Sequence, residues 1–405
     1  RPEPIPLDVR VILIGQPLIY YLLHSLDHEF PELFKVKADF DTEMSVDGDG
    51  RSDSRRNFIG FLCTFCEKEE LKHLDAGAVA RVMEQSSRTA EHKGKLSTRF
   101  GDLADLIRES HYWAGESGNE LITADDVQKA LDQKVYRSNL MEEKVRERIG
   151  EQTILIDTRG RAVGQVNGLS IVNLGNYLFG RPMRITAAVS AGREGILDIE
   201  REAKLSGPIH SKGVMILSGY LLERYSQGRP LTLAARLVFE QSYSGVEGDS
   251  ASSAELYAVL SALSGLPLRQ SVAVTGSVNQ HGRVQAVGGI NQKIEGFFEI
   301  CRAAGLTGDQ GVIIPEANVR HLMLKSEVRE AVEEGEFHLW SVETVDEGIE
   351  LLTGETAGAA ARDGSFPEGS VNERVRRRLQ AFGQSLKELG PTVDPGNTRK
   401  RGNDE

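Results

Sequence analysis

Leu231-Thr232-Leu233-Ala234-Ala235-Arg236-Leu237-Val238-Phe239 alternates Leu231, Leu233, Ala235, Leu237 and Phe239 with Thr232, Ala234, Arg236 and Val238. That period of two predicts a strand with one face more buried than the other. The chain then passes through Val246-Glu247-Gly248-Asp249-Ser250-Ala251-Ser252, a tight glycine-containing turn, into Leu256, Val259, Leu260 and Leu263 at helical spacing. Strand, turn and helix in succession predict an α/β layer and place Ser250 at a helix N-terminus. Outward from this point, runs at 153–157, 163–166, 184–189, 271–275 and 311–314 read as strands. Segments 211–225, 251–263, 290–304 and 344–353 read as helices, giving a mixed α/β domain over residues 151–356.

Upstream, Val9-Arg10-Val11-Ile12-Leu13-Ile14 reads as a strand ending at Gly15-Gln16-Pro17, where proline fits the first turn of a helix from Leu18 to Phe30. Phe34 to Phe40 reads as a second strand. The chain thus reads as beginning mid-domain, with a partial α/β core over residues 1–50. The Asp-, Gly-, Ser- and Arg-rich stretch 41–56 reads as a solvated linker with a boundary near residue 50. Residues 51–150 carry helical spacing throughout, in Phe58, Phe61, Leu62 and Phe65, then Ala78, Val79, Val82 and Met83, then Leu103, Leu106 and Ile107. Thr123 ahead of Ala124-Asp125-Asp126 is an N-cap with acidic residues in the first turn. Residues 357–405, rich in Ala, Gly, Pro and charge, read as a flexible tail with one short helix, Val371 to Leu389, bearing Arg374, Arg376, Arg377 and Arg378.

The chain has 405 residues, 40% hydrophobic and 27% charged, a globular balance that supports two or three domains of ~150 residues. The net charge of -12 repels phosphate backbones, so nucleic acid is an unlikely partner. Three cysteines suit a reducing cytosol, and apolar runs such as Val11 to Ile14 fall far short of the ~20 residues that span a bilayer. A cytoplasmic protein with no membrane partner is expected. Cys63-Thr64-Phe65-Cys66 has redox or zinc spacing but sits in a helical apolar run without a second pair, so it reads as core packing. His24-Ser25-Leu26-Asp27-His28 departs from the H-x-x-E-H zinc motif, and no metal site is expected.

Two residues suggest chemistry. Ser250 is either an N-cap or a nucleophile at a helix end whose unpaired N–H groups and macrodipole favour an oxyanion. Lys293 lies alongside the apolar stripe Ile290, Ile294, Phe297 and Cys301. It is either a snorkelling lysine or one whose burial lowers its pKa until the neutral amine serves as a general base.

These residues resemble the protease domain of the Lon family, ATP-dependent serine proteases with a Ser/Lys dyad. Glu247-Gly248-Asp249-Ser250-Ala251-Ser252 is similar to the nucleophile motif of the B-type branch. Thr275-Gly276-Ser277-Val278 and Gly282 to Lys293 are similar to the strand, hairpin and helix that present the lysine. Ile209-His210-Ser211-Lys212-Gly213 and Phe239-Glu240-Gln241-Ser242-Tyr243 also resemble B-type segments. The resemblance implies that Ser250 attacks the scissile carbonyl, Lys293 takes its proton and Thr275 orients the amine. It leaves Asp249 either capping the helix or pairing with Lys293 and holding it protonated. It makes residues 1–50 the last part of an AAA+ core, 51–150 the AAA+ lid and connector, and Arg99, in Leu96-Ser97-Thr98-Arg99-Phe100-Gly101-Asp102-Leu103, a nucleotide-sensing arginine. No G-x-x-x-x-G-K-[ST] loop is present, so the chain reads as a C-terminal fragment that does not hydrolyse ATP alone. The implied function is ATP-dependent degradation of unfolded or damaged proteins by a homo-oligomer, a hexamer, with no cofactor for peptide cleavage and with ATP and Mg in the full-length protein. The alternative is a nonproteolytic Lon-like assembly module of an ATPase ring.

Overall fold

The computed structural model describes residues 8–47, 53–228, 230–243 and 245–388. They fall into two units that divide after Thr42. The first holds α1 (Pro17–Leu26), begun by its proline, and the single turn α2 (Phe30–Leu33). Tyr20 and Phe34 pack their rings on Phe30. Val9–Ile14 and Phe34–Phe40 are not strands, contrary to the sequence reading. A strand needs a neighbour for its backbone groups, and no described residue pairs with either segment. Val9, Val11, Ile12, Leu13 and Ile14 accordingly stay exposed. The boundary expected near residue 50 lies outside the described residues.

The second unit opens with a helical subdomain of β1 (Glu43–Ser45), α3 (Ser54–Lys68), α4 (Ala76–Thr89), β2 (Lys95–Ser97), α5 (Phe100–Glu116), α6 (Ala124–Tyr136) and α7 (Leu140–Gly150). Asp53 and Asp75 cap α3 and α4, and Thr123 forms a reciprocal capping box with Asp126. Phe58, Leu62, Cys66, Val82, Leu103, Ile107 and Val127 close its core. Cys66 is packing here, while Cys63 is exposed.

The larger domain follows. Its strands are β3 (Arg161–Ala162), β4 (Gln165–Asn173), β5 (Leu178–Ser190), β6 (Gly195–Asp198), β7 (Ala234–Phe239), β8 (Leu268–Arg269), β9 (Val272–Val274), β10 (Ser277–Val278), β11 (Val284–Gln285), β12 (Gln310–Pro315) and β13 (Phe337–Val342). Its helices are α8 (Ile199–Glu202), α9 (Pro208–Tyr225), α10 (Ser252–Ser264), α11 (Ile290–Ala304), α12 (Ser326–Glu333), α13 (Val345–Thr353) and α14 (Val371–Glu388). Seven strands form one mixed sheet in the order β13-β12-β9-β4-β5-β7-β6.

Side-chain alternation makes three layers of this sheet. Val272, Val274 and Ile313 face one core with α10, α13 and α14, while Ala273, Val312 and Ile314 face another with α11 and α12. In β7, Ala235, Leu237 and Phe239 are buried and Arg236 is exposed, as the alternation predicts. Segment 153–157 forms no ladder: it bends at Thr153 and Ile154, whose N–H groups both donate to the Arg148 carbonyl. The Gln241 side chain meets two more of its backbone groups, accepting from Leu155 N–H and donating to Thr153 O. The helix expected from Val371 is present as α14, but over the described residues of the expected flexible tail it is packed, burying Val371, Val375, Leu379 and Phe382 in the first core against α10. Arg376 and Arg378 lie over Phe366 and Phe382 as its rim.

Candidate active site

The turn after β7 delivers Ser250 two residues ahead of α10, and Ala251 occupies the N-cap position. Ser250 is therefore not the cap. Its hydroxyl instead lies 2.9 Å from Lys293 Nζ. A second hydroxyl, Thr275 Oγ1, stands 3.1 Å from the same amine and donates to the Ser250 carbonyl at 3.2 Å. The Ser250 carbonyl also accepts from Gly276 N–H, and Ser253 N–H returns a bond to the Gly276 carbonyl. The serine turn is thus laced to the end of β9 by backbone bonds, which fixes the hydroxyl without engaging it.

Lys293 reaches this point because α11 lies directly on β5. Gly180 and Gly296 meet backbone to backbone, and a methyl group on either would collide with the other segment. The lysine is only 3% exposed. Burial pulls its pKa down from 10.5 to about 8, against the charges of Asp249 and Glu91, which favour the ammonium form. Asp249 neither caps α10 with its side chain nor lies within ion-pair distance of Lys293. Its carboxylate accepts from Ser277 Oγ at 2.8 Å.

Beneath the turn, the first turn of α10 contributes Glu255 to a buried charge cluster. His210 Nε2 on α9 lies 3.2 Å from Glu255 Oε1, and Nδ1 lies 3.3 Å from Asp198 Oδ2. Burial disfavours the imidazolium, but Asp198 and Glu255 outweigh it and push His210 up to about 10. This cluster ties α9 and the end of β6 to the helix that follows Ser250.

Sequence reasoning brings Ser250, Lys293, Thr275 and Asp249 to one place. Arg99 stands apart, exposed at the start of α5. What the reading missed are Ser277, which holds Asp249, and the Gly180–Gly296 contact; a glycine in the interior of α11 was the available signal. Among the described residues no three His, Cys, Asp or Glu side chains gather as metal ligands.

Residues 244–354 match the family described as Lon protease (S16) C-terminal proteolytic domain. Residues 73–137 match the archaeal LonB AAA+ ATPase lid domain, and residues 1–41 the LonB-like AAA domain. A Putative Lon protease homolog of Escherichia coli (strain K12) is 38% identical over 359 residues, 87% of this chain and 60% of that protein. A protein of the same name from Haemophilus influenzae is 32% identical over 94% of this chain and 62% of its own length. An Archaeal Lon protease from Pyrococcus abyssi is 30% identical over 88% of this chain and 34% of its own. The chain thus spans less than two thirds of each of these relatives. Fold and matches define the class, a Lon-type protease domain preceded by an AAA+ lid. The chain belongs to the Lon protease family.

Proposed function

We propose that this chain is a serine endopeptidase with Ser250 as nucleophile and Lys293 as general base. The observation that carries the reading is the 2.9 Å contact between the Ser250 hydroxyl and a buried amine with a pKa of about 8. In its neutral form Lys293 accepts the hydroxyl proton as Oγ bonds to the scissile carbonyl carbon. The N-terminal end of α10 stabilises the resulting oxyanion. Collapse breaks the C–N bond, Lys293 returns the proton to the leaving amine, and an ester remains on Ser250. Water then attacks the ester, giving its proton to Lys293, which passes it back to Ser250 Oγ. Thr275 keeps the amine aimed at Ser250 through both halves.

No step needs a cofactor. ATP and magnesium belong to this reading only through a longer protein of which this chain is part, since the sequence holds no G-x-x-x-x-G-K-[ST] loop to cradle the phosphates. In that longer protein the activity is ATP-dependent degradation of unfolded or damaged proteins by a homo-oligomeric ring, a hexamer. An intact dyad disfavours the purely organising role of a nonproteolytic module.

The test is cleavage of a fluorogenic peptide and of casein by the purified chain and by Ser250→Ala. The expected result is loss of cleavage with stability lowered by no more than about 1–3 kcal/mol, because the hydroxyl caps nothing and its removal takes one of two hydroxyl partners from the buried Lys293 amine. Cleavage by Ser250→Ala at the parental rate would refute the assignment.

A further inference from the structure

The helix that carries Lys293 is held from two sides. One side is the sheet, through the Gly180–Gly296 contact. The other is the lid. Arg88, near the end of α4, places Nη1 and Nη2 2.6 and 2.7 Å from the two carboxylate oxygens of Glu295, and Nη1 also donates to the Met323 carbonyl at 2.6 Å. Glu295 accepts in addition from Lys325 N–H.

The segment contacted by the lid returns to the same helix. Asn291 donates to the His321 carbonyl and accepts from Met323 N–H. Lys93 N–H of the lid donates to the Arg320 carbonyl, and the rings of His92 and His321 meet edge to face. Asn291 and Glu295 are two residues before and two after Lys293, four apart and so on one face of α11. Glu299 extends that face by another turn, where Arg146 of α7 reaches it at 3.4 Å. Helical geometry places Lys293 on the opposite side. Lid contacts therefore grip the back of the helix whose front presents the base.

We propose that the lid is part of the peptidase site, and that Arg88 is a positioning residue that holds α11 in the rotation at which Lys293 Nζ meets Ser250 Oγ. This rests on the dyad reading above. A bidentate guanidinium–carboxylate clamp fixes direction as well as distance, which a single ammonium contact does not. The consequence is that any displacement of the lid acts on the base directly.

The positioning claim predicts a signature that a general loss of stability would not give. The charges that bear on Lys293 are Asp249 from the serine turn and Glu91 from the lid, and Glu295 lies two residues along its own helix. Replacing Arg88 by Ala leaves Glu295 without its counter-charge and lets water reach α11; both effects favour the ammonium form, so the pKa of Lys293 rises. Misplacement of a catalytic group by about 1 Å costs on the order of a hundredfold in rate.

The experiment compares the parent chain with Arg88→Ala, Arg88→Lys and Arg108→Ala, the last removing an exposed lid pair with Glu69. Two quantities are read: peptide cleavage against pH, and the titration of the Lys293 ε-carbon by NMR, assigned with Lys293→Met. Arg88→Ala should lower kcat at least about tenfold with KM little changed and move both titrations to higher pH. Arg88→Lys should recover part of each, and Arg108→Ala should match the parent. If Arg88→Ala does not fold, Arg88→Lys alone carries the comparison. An unshifted Lys293 titration in the Arg88 variants overturns the proposal. A shifted titration in a chain whose cleavage does not depend on Ser250 overturns the dyad reading and leaves the positioning intact.

Discussion

Lys293 sets two measurable quantities at once. Its folded-state pKa of about 8 lies below the free value of 10.5, so the folded chain gives up this proton more readily than the unfolded chain. Stability linked to this group is therefore lowest below pH 8, rises between 8 and 10.5, and is constant above. Lys293→Met removes that penalty and should raise stability at pH 7 by up to roughly 3 kcal/mol, since each pH unit between the folded and free values is worth ~1.36 kcal/mol, while abolishing cleavage. Denaturant unfolding of the two proteins at pH 7 and pH 11 checks this, the difference being expected at pH 7 and nearly gone at pH 11. A variant less stable than the parent at pH 7 would show that the buried amine is held by more than its burial allows. The same titration predicts cleavage rising with pH through about 8.

The two elements that meet at the site differ in how they are held, and α11 is the more sensitive. Gly296 lies against the Gly180 carbonyl, so Gly296→Ala must push the helix off the sheet; overpacking of this kind costs about 1–3 kcal/mol. Peptide cleavage should fall much further than stability does, because Lys293 moves with the helix, and a variant with parental kcat would show that the close contact does not set the dyad. At this scale the sequence was a good guide wherever periodicity reported burial on one side. The alternation in β7 led to the turn that holds Ser250, and the apolar stripe of α11 placed Lys293 on its helix. It misled where backbone groups are satisfied without a ladder, as at 153–157, and where an apolar run has no partner strand, as at Val9–Ile14. It placed a helix at 371–389, where α14 lies, but read the segment as a flexible tail, because a composition rich in charge hid the four apolar residues that the helix buries. Thr275 was legible only through the family resemblance, and Arg88–Glu295 not at all, since nothing local marks a pair 207 residues apart in sequence.

The whole molecule is an acidic chain in which a Lon-type protease domain is joined to a lid that grips the helix of Lys293. Among the described residues no helix is long and apolar enough to cross a membrane. A ring with one repeated heterologous interface would enclose the serine from folded proteins, and the proposed hexamer should form in a concentration-dependent way. Light scattering over a dilution series should show the mass falling on dilution; a monomer at every concentration, with full peptidase activity, would contradict it. The proposed nucleophilicity of Ser250 depends on the Lys293 amine beside it. Reaction with a serine-directed fluorophosphonate, followed by peptide mass spectrometry at several pH values, tests it most directly. One adduct is expected, on Ser250, forming faster as pH rises through about 8 and absent in Lys293→Met. An adduct on another residue, or undiminished labelling of Ser250 in Lys293→Met, would contradict it.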